Sequence, residues 1–173
     1  MERENHPFVE YLESLRDDRA ALAALRRGLG QPPGTVASMY PYVVRWLGDD
    51  TPPWQEAAYY LIAALFAYHP AEGGTGNMGH HFARVRDPKG DNTAIERRFT
   101  ALLAAHPDDL DFYLRQAVSF LKSKEVPVNW HQLLSDVLAW SHPDRYVQKQ
   151  WANAFWGRAR SDAEAMQSEQ GTS

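Results

Sequence analysis

The sequence contains no cysteine, which excludes disulfides, thiol nucleophiles and cysteine-ligated zinc. It has no run of eighteen apolar residues, the length a helix needs to cross a bilayer. Its opening residues, Met1-Glu2-Arg3-Glu4-Asn5-His6-Pro7, are polar and acidic, unlike a secretory signal. A cytoplasmic protein with no membrane partner is the expectation. No segment alternates apolar and polar residues over the length of a strand. Positive charge is not in excess either: 18 Lys and Arg stand against 22 Asp and Glu, a net charge of −4 and a pI near 5.9. A free-standing DNA-binding domain is usually basic, so this chain alone is expected to bind nucleic acid weakly.

Sites for chemistry are also missing. No serine sits in a nucleophile elbow. The seven histidines include no H-x-H or H-E-x-x-H pair, and His80 and His81, being adjacent, would point about 100° apart on a helix. No metal site is expected. Gly74-Thr75-Gly76-Asn77-Met78-Gly79 matches the dinucleotide pattern G-x-G-x-x-G, but that pattern has meaning only between a strand and a helix. Here a helical segment precedes it, so a flexible loop is expected and no cofactor. The acidic pairs Asp49-Asp50 and Asp108-Asp109 adjoin helix starts, where carboxylates favour the helix dipole. The reading is a protein without catalytic activity.

What the chain has is helical spacing. With 44% hydrophobic residues it can bury a real core. Pro7 opens a first helix with Phe8, Leu12 and Leu15 inward, and Asp17-Asp18 cap a second carrying Leu22 and Leu25. A short helix is expected from Ser38 to Leu47. Thr51-Pro52-Pro53 starts a helix that runs to Tyr68 and is apolar nearly all round, so it is read as the central buried helix. A short amphipathic piece covers His80 to Val85. Further on, Thr93 and Glu96 form a capping-box pattern for a helix over 95–105, Asp108 caps one over 109–123, and Asn129 caps one over 130–140. A last helix is expected to start at Ser141-His142-Pro143 and to end near Arg160, with Val147, Trp151, Ala154 and Phe155 forming its apolar stripe. The fold class is therefore all-α: two packed helical halves, 1–90 and 91–160, the second an antiparallel four-helix bundle, followed by an acidic tail over 161–173.

Basic residues gather in several places. Arg26 and Arg27 close the second helix, where cations suit the negative end of its dipole. Arg97 and Arg98 lie inside a helix. Arg115, Ser119 and Lys122 recur at helical spacing along one stripe, which Lys124 extends. Arg145, Lys149 and Trp156 lie on an outer face of the last helix. Such stripes are usually solvated faces, but several from neighbouring helices, if aligned, make the phosphate track that backbone recognition needs.

The segment Ile95-Glu96-Arg97-Arg98-Phe99-Thr100-Ala101-Leu102-Leu103 resembles a helix of the CasB family, the small subunit of the type I-E CRISPR surveillance complex, Cascade. Leu114-Arg115-Gln116-Ala117-Val118 is similar to the family's next helix. The runs Leu133 to Trp140 and Pro143 to Ala152 carry the most specific likeness, and Leu25-Arg26-Arg27, Pro32-Pro33-Gly34 and Met39-Tyr40-Pro41-Tyr42-Val43 add to it. The resemblance covers most of residues 6–160. It implies a helical, non-catalytic subunit in antiviral defence, present as two copies that touch the backbone subunits, the large subunit, the CRISPR RNA and the target DNA. It also implies a role in stabilising the R-loop, above all the displaced strand. Sequence would be read by guide pairing and backbone by protein. The basic positions within matched motifs are Arg26, Arg27, Arg97, Arg98, Arg115, Arg145 and Lys149, and Lys122 and Lys124 lie just beyond. A helical protein–protein adaptor, or a small enzyme using the glycine loop, are the alternatives.

Overall fold

The computed structural model describes residues 5–157, and these contain helices and turns but no strand. The expected helix end near Arg160 and the acidic tail lie outside the described residues. Helix α1 (Pro7–Ser14) places Phe8, Val9 and Leu12 in the core. Helix α2 (Arg19–Arg26) starts on Asp18, whose carboxylate accepts the Ala21 N–H at 3.0 Å and so satisfies a donor that the first turn leaves unpaired. Leu22 and Leu25 are buried, as the spacing predicts. The single helix expected from Ser38 to Leu47 is instead three pieces: a 3-10 turn Ala37–Met39, α3 (Tyr40–Val43) and a 3-10 turn Val44–Trp46. Pro41 has no N–H to give to Ala37, so the chain closes the tighter bond from Tyr40 N–H to Ala37 carbonyl.

Helix α4 (Pro53–Tyr68) organises the core. Every residue from Ile62 to Ala67 is buried, the signature of a helix covered on all sides. Helix α2 packs on one side of α4 and the later helices on others. Helix α5 (Met78–Ala83) begins at Asn77, whose side chain accepts the Gly79 and His80 N–H groups while His80 Nδ1 accepts the Asn77 N–H at 3.0 Å. The glycine stretch before it is a loop in which Gly73 and Thr75 are exposed while Gly74 is closely packed. An ideal Cβ on Gly74 would fall 2.2 Å from the Val128 carbonyl carbon, and one on Gly79 would fall 2.0 Å from the Trp151 oxygen. Those two glycines allow backbones to approach closely.

Helix α6 (Thr93–Leu103) does not use the expected capping box: Asn92 is the N-cap without a side-chain bond, and the Thr93 hydroxyl is turned back to Asp91. Helix α7 (Leu110–Ser123) follows a 3-10 turn Pro107–Asp109, in which His106 Nδ1, rather than Asp108, takes the free N–H. Helix α8 (Trp130–Leu138) is capped by Asn129, which accepts the Gln132 N–H at 3.3 Å. Helix α9 (Tyr146–Ala152) starts later than expected, because His142 accepts the Asp144 and Arg145 N–H groups in a turn and Arg145 itself sits in the left-handed region at φ 52°. It continues as a π-helical turn, Asn153–Gly157.

The four C-terminal helices do not keep to themselves. Helix α8 packs chiefly on α4, and α9 with its π turn packs on α5, so one continuous core runs from Phe8 to Phe155. Polar ties cross it. Trp151 Nε1 donates to the buried Asp136 at 2.7 Å, Trp140 Nε1 donates to the Ala105 carbonyl at 3.0 Å, and His69 Nε2 donates to the Val126 carbonyl at 2.7 Å. His81 Nε2 accepts the Asn129 N–H at 3.1 Å, joining α5 to the start of α8.

Candidate nucleic-acid interface

Three of the cations singled out in the sequence are held on aromatic rings at α4 and α7. The Phe120 ring of α7 is buttressed from beneath by Phe82 at a centroid distance of 5.7 Å. Its other neighbours are charged: the Arg98 guanidinium carbon of α6 lies 4.6 Å from the ring centre and Lys124 Nζ lies 5.9 Å from it. Two residues along from Phe120, and so on another side of α7, Lys122 Nζ stands 4.1 Å over the Tyr68 ring and donates to the Tyr68 carbonyl at 2.8 Å. The Tyr68 hydroxyl is 3.2 Å from Ser119 Oγ, the middle residue of the α7 stripe. The aromatic rings hold the aliphatic stems and cationic heads of long side chains that would otherwise be free in water.

All three cations are exposed, and none is paired with a carboxylate among the described residues. The Lys122 bond to Tyr68 also satisfies a carbonyl at the C-terminus of α4, where positive charge is favoured. These cations are thus positioned by aromatic rings rather than by carboxylates, although the chain as a whole is acidic.

The other candidates fall elsewhere. Arg115 shares the α7 stripe but is half-buried: its guanidinium lies beside Phe112 at 5.9 Å, and a Cβ on Gly30 would be 3.2 Å from Nη1. That contact brings the loop following Arg26 and Arg27, both exposed, to the N-terminal end of the same stripe. Arg97 is exposed on α6. Arg145 donates to the Leu103 carbonyl at 3.1 Å, serving the last turn of α6, while Lys149 and Trp156 are exposed on the α9 side.

Two aromatic anchors, Tyr68 and Phe120, were absent from the sequence reading. The Phe120–Lys124 spacing of one helical turn was a visible signal for the second. Tyr68 is 54 residues from Lys122, and nothing local links them. Arg86, stacked on Phe155 at 4.4 Å, was also overlooked. Among the described residues no group of three or more His, Cys, Asp or Glu could hold a metal ion, and no helix is long and apolar enough to cross a membrane.

Residues 21–156 match the family model of the CRISPR-associated protein Cse2. A Cse2 protein of Thermus thermophilus is 37% identical over 162 residues, 91% of this chain and 92% of that one. The crystal structure of M. ruber CasB superposes with a TM-score of 0.78 at 32% identity, covering 96% of this chain and 98% of that one. CasB from Thermus thermophilus gives 0.75 at 34% identity, covering 87% and 96%. A chain of a CRISPR RNA-guided surveillance complex gives 0.75 at 25% identity, covering 90% and 95%. On the strength of that match along nearly its whole described length, the chain belongs to the Cse2, or CasB, family.

Proposed function

We propose that this chain is the small, non-catalytic subunit of a type I-E CRISPR RNA-guided surveillance complex, where it holds the nucleic-acid backbone and stabilises the displaced strand of the R-loop. The observation that supports the reading is that exposed cations are held on aromatic rings, Arg98 and Lys124 on Phe120 and Lys122 on Tyr68. Phosphate recognition requires positive charge at fixed positions and no reading of bases, and these two ring-held sites supply that. The Arg115 stripe leads from them toward Arg26 and Arg27. Arg97, Arg145 and Lys149 supply further positive charge on the outer faces of α6 and α9. A modest intrinsic affinity is sufficient, because neighbouring subunits raise the effective concentration of nucleic acid at this surface.

The test is single-stranded DNA binding by the pure protein and by Arg98→Ala/Lys122→Ala/Lys124→Ala over a series of salt concentrations. Three lost phosphate contacts lower the log–log salt slope by about 2 on a single strand, equivalent to a ~20-fold share of the affinity change between about 50 and 200 mM salt. The loss is the same for unrelated sequences. A folded triple variant with the wild-type slope would overturn the assignment and favour a protein adaptor.

A further inference from the structure

Helix α1 is tied to α8 through one imidazole ring. His131 Nδ1 accepts the backbone N–H of His6, the residue that precedes α1, at 3.0 Å. On the other side of the ring, Nε2 is within hydrogen-bond reach of a Glu13 carboxylate oxygen near the far end of α1. A neutral imidazole carries a single N–H. With Nδ1 accepting, that hydrogen sits on Nε2 and is donated to Glu13, so the two contacts together admit one tautomer only. The His6 ring stacks beside His131 with centroids 6.4 Å apart, and its Nε2 is 2.6 Å from Ser135 Oγ, one turn along α8.

A second proton acts on these bonds in opposite directions. Both ring nitrogens of an imidazolium are donors. A proton on Nδ1 therefore sets an N–H against the His6 N–H, and that bond is lost. The bond to Glu13 becomes charge-assisted and tightens. Ser135 Oγ both donates and accepts, so its contact with the His6 ring tolerates the change. Among the described residues the nearby acceptors are already engaged. The second oxygen of Glu13 holds Arg16 at 3.3 Å, and Arg16 also reaches Glu72 at 3.8 Å. Glu10 is bonded by the Asn5 side chain, and the His6 carbonyl accepts the Glu10 N–H at 3.0 Å. On α8 itself Asp136 takes the Trp151 and Gln132 side chains. The one charged residue of α4, Glu56, lies at Gly34 instead. The His131 side chain is 22% exposed, so water can deliver the proton.

We propose that His131 is a proton-operated latch on the N-terminal helix. Neutral, it holds the first turn of α1 against α8. Protonated, it lets go of the His6 end while keeping its grip on Glu13, so the latch is closed at alkaline pH and opens as pH falls. The turn it releases carries Phe8, which is buried against Tyr59 at 4.6 Å and Trp46 at 6.0 Å. The device is independent of the cation sites on α4 and α7.

The experiment follows the full chain by NMR between about pH 8 and pH 5, the range in which histidine side chains change charge. Imidazole nitrogen shifts read the protonation of His131, and amide hydrogen exchange, corrected for its intrinsic pH dependence, reads the His6 N–H. At pH 8 the ring is expected to carry its hydrogen on Nε2. As it takes up the second proton, His6 protection is expected to fall at least about tenfold, the scale of one lost hydrogen bond. The α4 amides, which open only with the whole fold, stay protected over the same range. His131→Asn keeps an acceptor near the Nδ1 position but cannot titrate, and its His6 protection is expected to be independent of pH. The proposal is overturned by a ring protonated on Nδ1 at pH 8, or by wild-type His6 protection that does not follow the charge on the ring. It is equally overturned if His131→Asn loses His6 protection with pH as the wild type does. The two wild-type readouts need no variant, so the outcome stands even if His131→Asn does not fold.

Discussion

Acidification should destabilise this protein through a buried histidine. His81 is 1% exposed, and burial, followed by the neighbouring Arg84 and His80 and then His69, holds its pKa down from 6.5 to about 3. In the folded protein it stays neutral with Nε2 free to accept the Asn129 N–H. In the unfolded chain it gains a proton below pH 6.5. Between those two values the unfolded state binds more protons, so stability falls as pH falls; above pH 6.5 the group contributes no pH dependence. Each pH unit in the window costs about 1.4 kcal/mol, or about 2 kcal/mol at pH 5 relative to pH 7.5. Urea unfolding at about pH 7.5, 6 and 5 measures it. His81→Gln keeps an acceptor for Asn129 but cannot titrate. It should be less stable at pH 7.5, by about 1–3 kcal/mol for imperfect fit, yet lose about 2 kcal/mol less than wild type on going to pH 5. A residual slope is expected from His69, whose pKa burial also lowers. Parallel pH curves for the wild type and His81→Gln would refute the argument.

Other changes test how the helices are held. Gly74→Ala and Gly79→Ala each drive a Cβ into backbone at about van der Waals overlap, so each should cost about 3 kcal/mol or prevent folding, read as a drop in the urea midpoint. Trp151→Phe keeps the packing but leaves the buried Asp136 without its indole donor; a loss of about 2 kcal/mol in equilibrium unfolding is expected. Asp18→Ala removes the α2 cap and should lower stability by about 1 kcal/mol without changing the salt slope of DNA binding, since the Arg98 face is untouched.

Much of the helix content was legible because burial writes itself as local periodicity. The α4 run is apolar on every side, so it could only be central, and Leu22, Leu25, Val147, Trp151 and Phe155 fell on the faces their spacing required. Asp18 and Asn129 were legible as caps because each bonds a backbone group three residues on, a relation contained in the sequence. The box at Thr93 and Glu96 misled for the same reason: the pattern was present, but Asp91 offered the Thr93 hydroxyl a nearer acceptor. Pro41 broke a helix that its flanks supported.

The candidate site divides along the same line. The sequence alone determined which cations lie on helix exteriors and that Arg115, Ser119 and Lys122 share a stripe, since 3.6 residues per turn is a local rule. Only the tertiary structure decided which stripes meet. Tyr68 reaches Lys122 because α4 ends beside α7, Arg98 reaches Phe120 because α6 and α7 pack together, and Arg115 turns under Gly30 because the loop after α2 closes over it. Helix packing is set by non-directional burial of apolar faces that are far apart in the chain. The residues that benefit, an exposed lysine and a tyrosine ring 54 positions away, carry no local mark of each other.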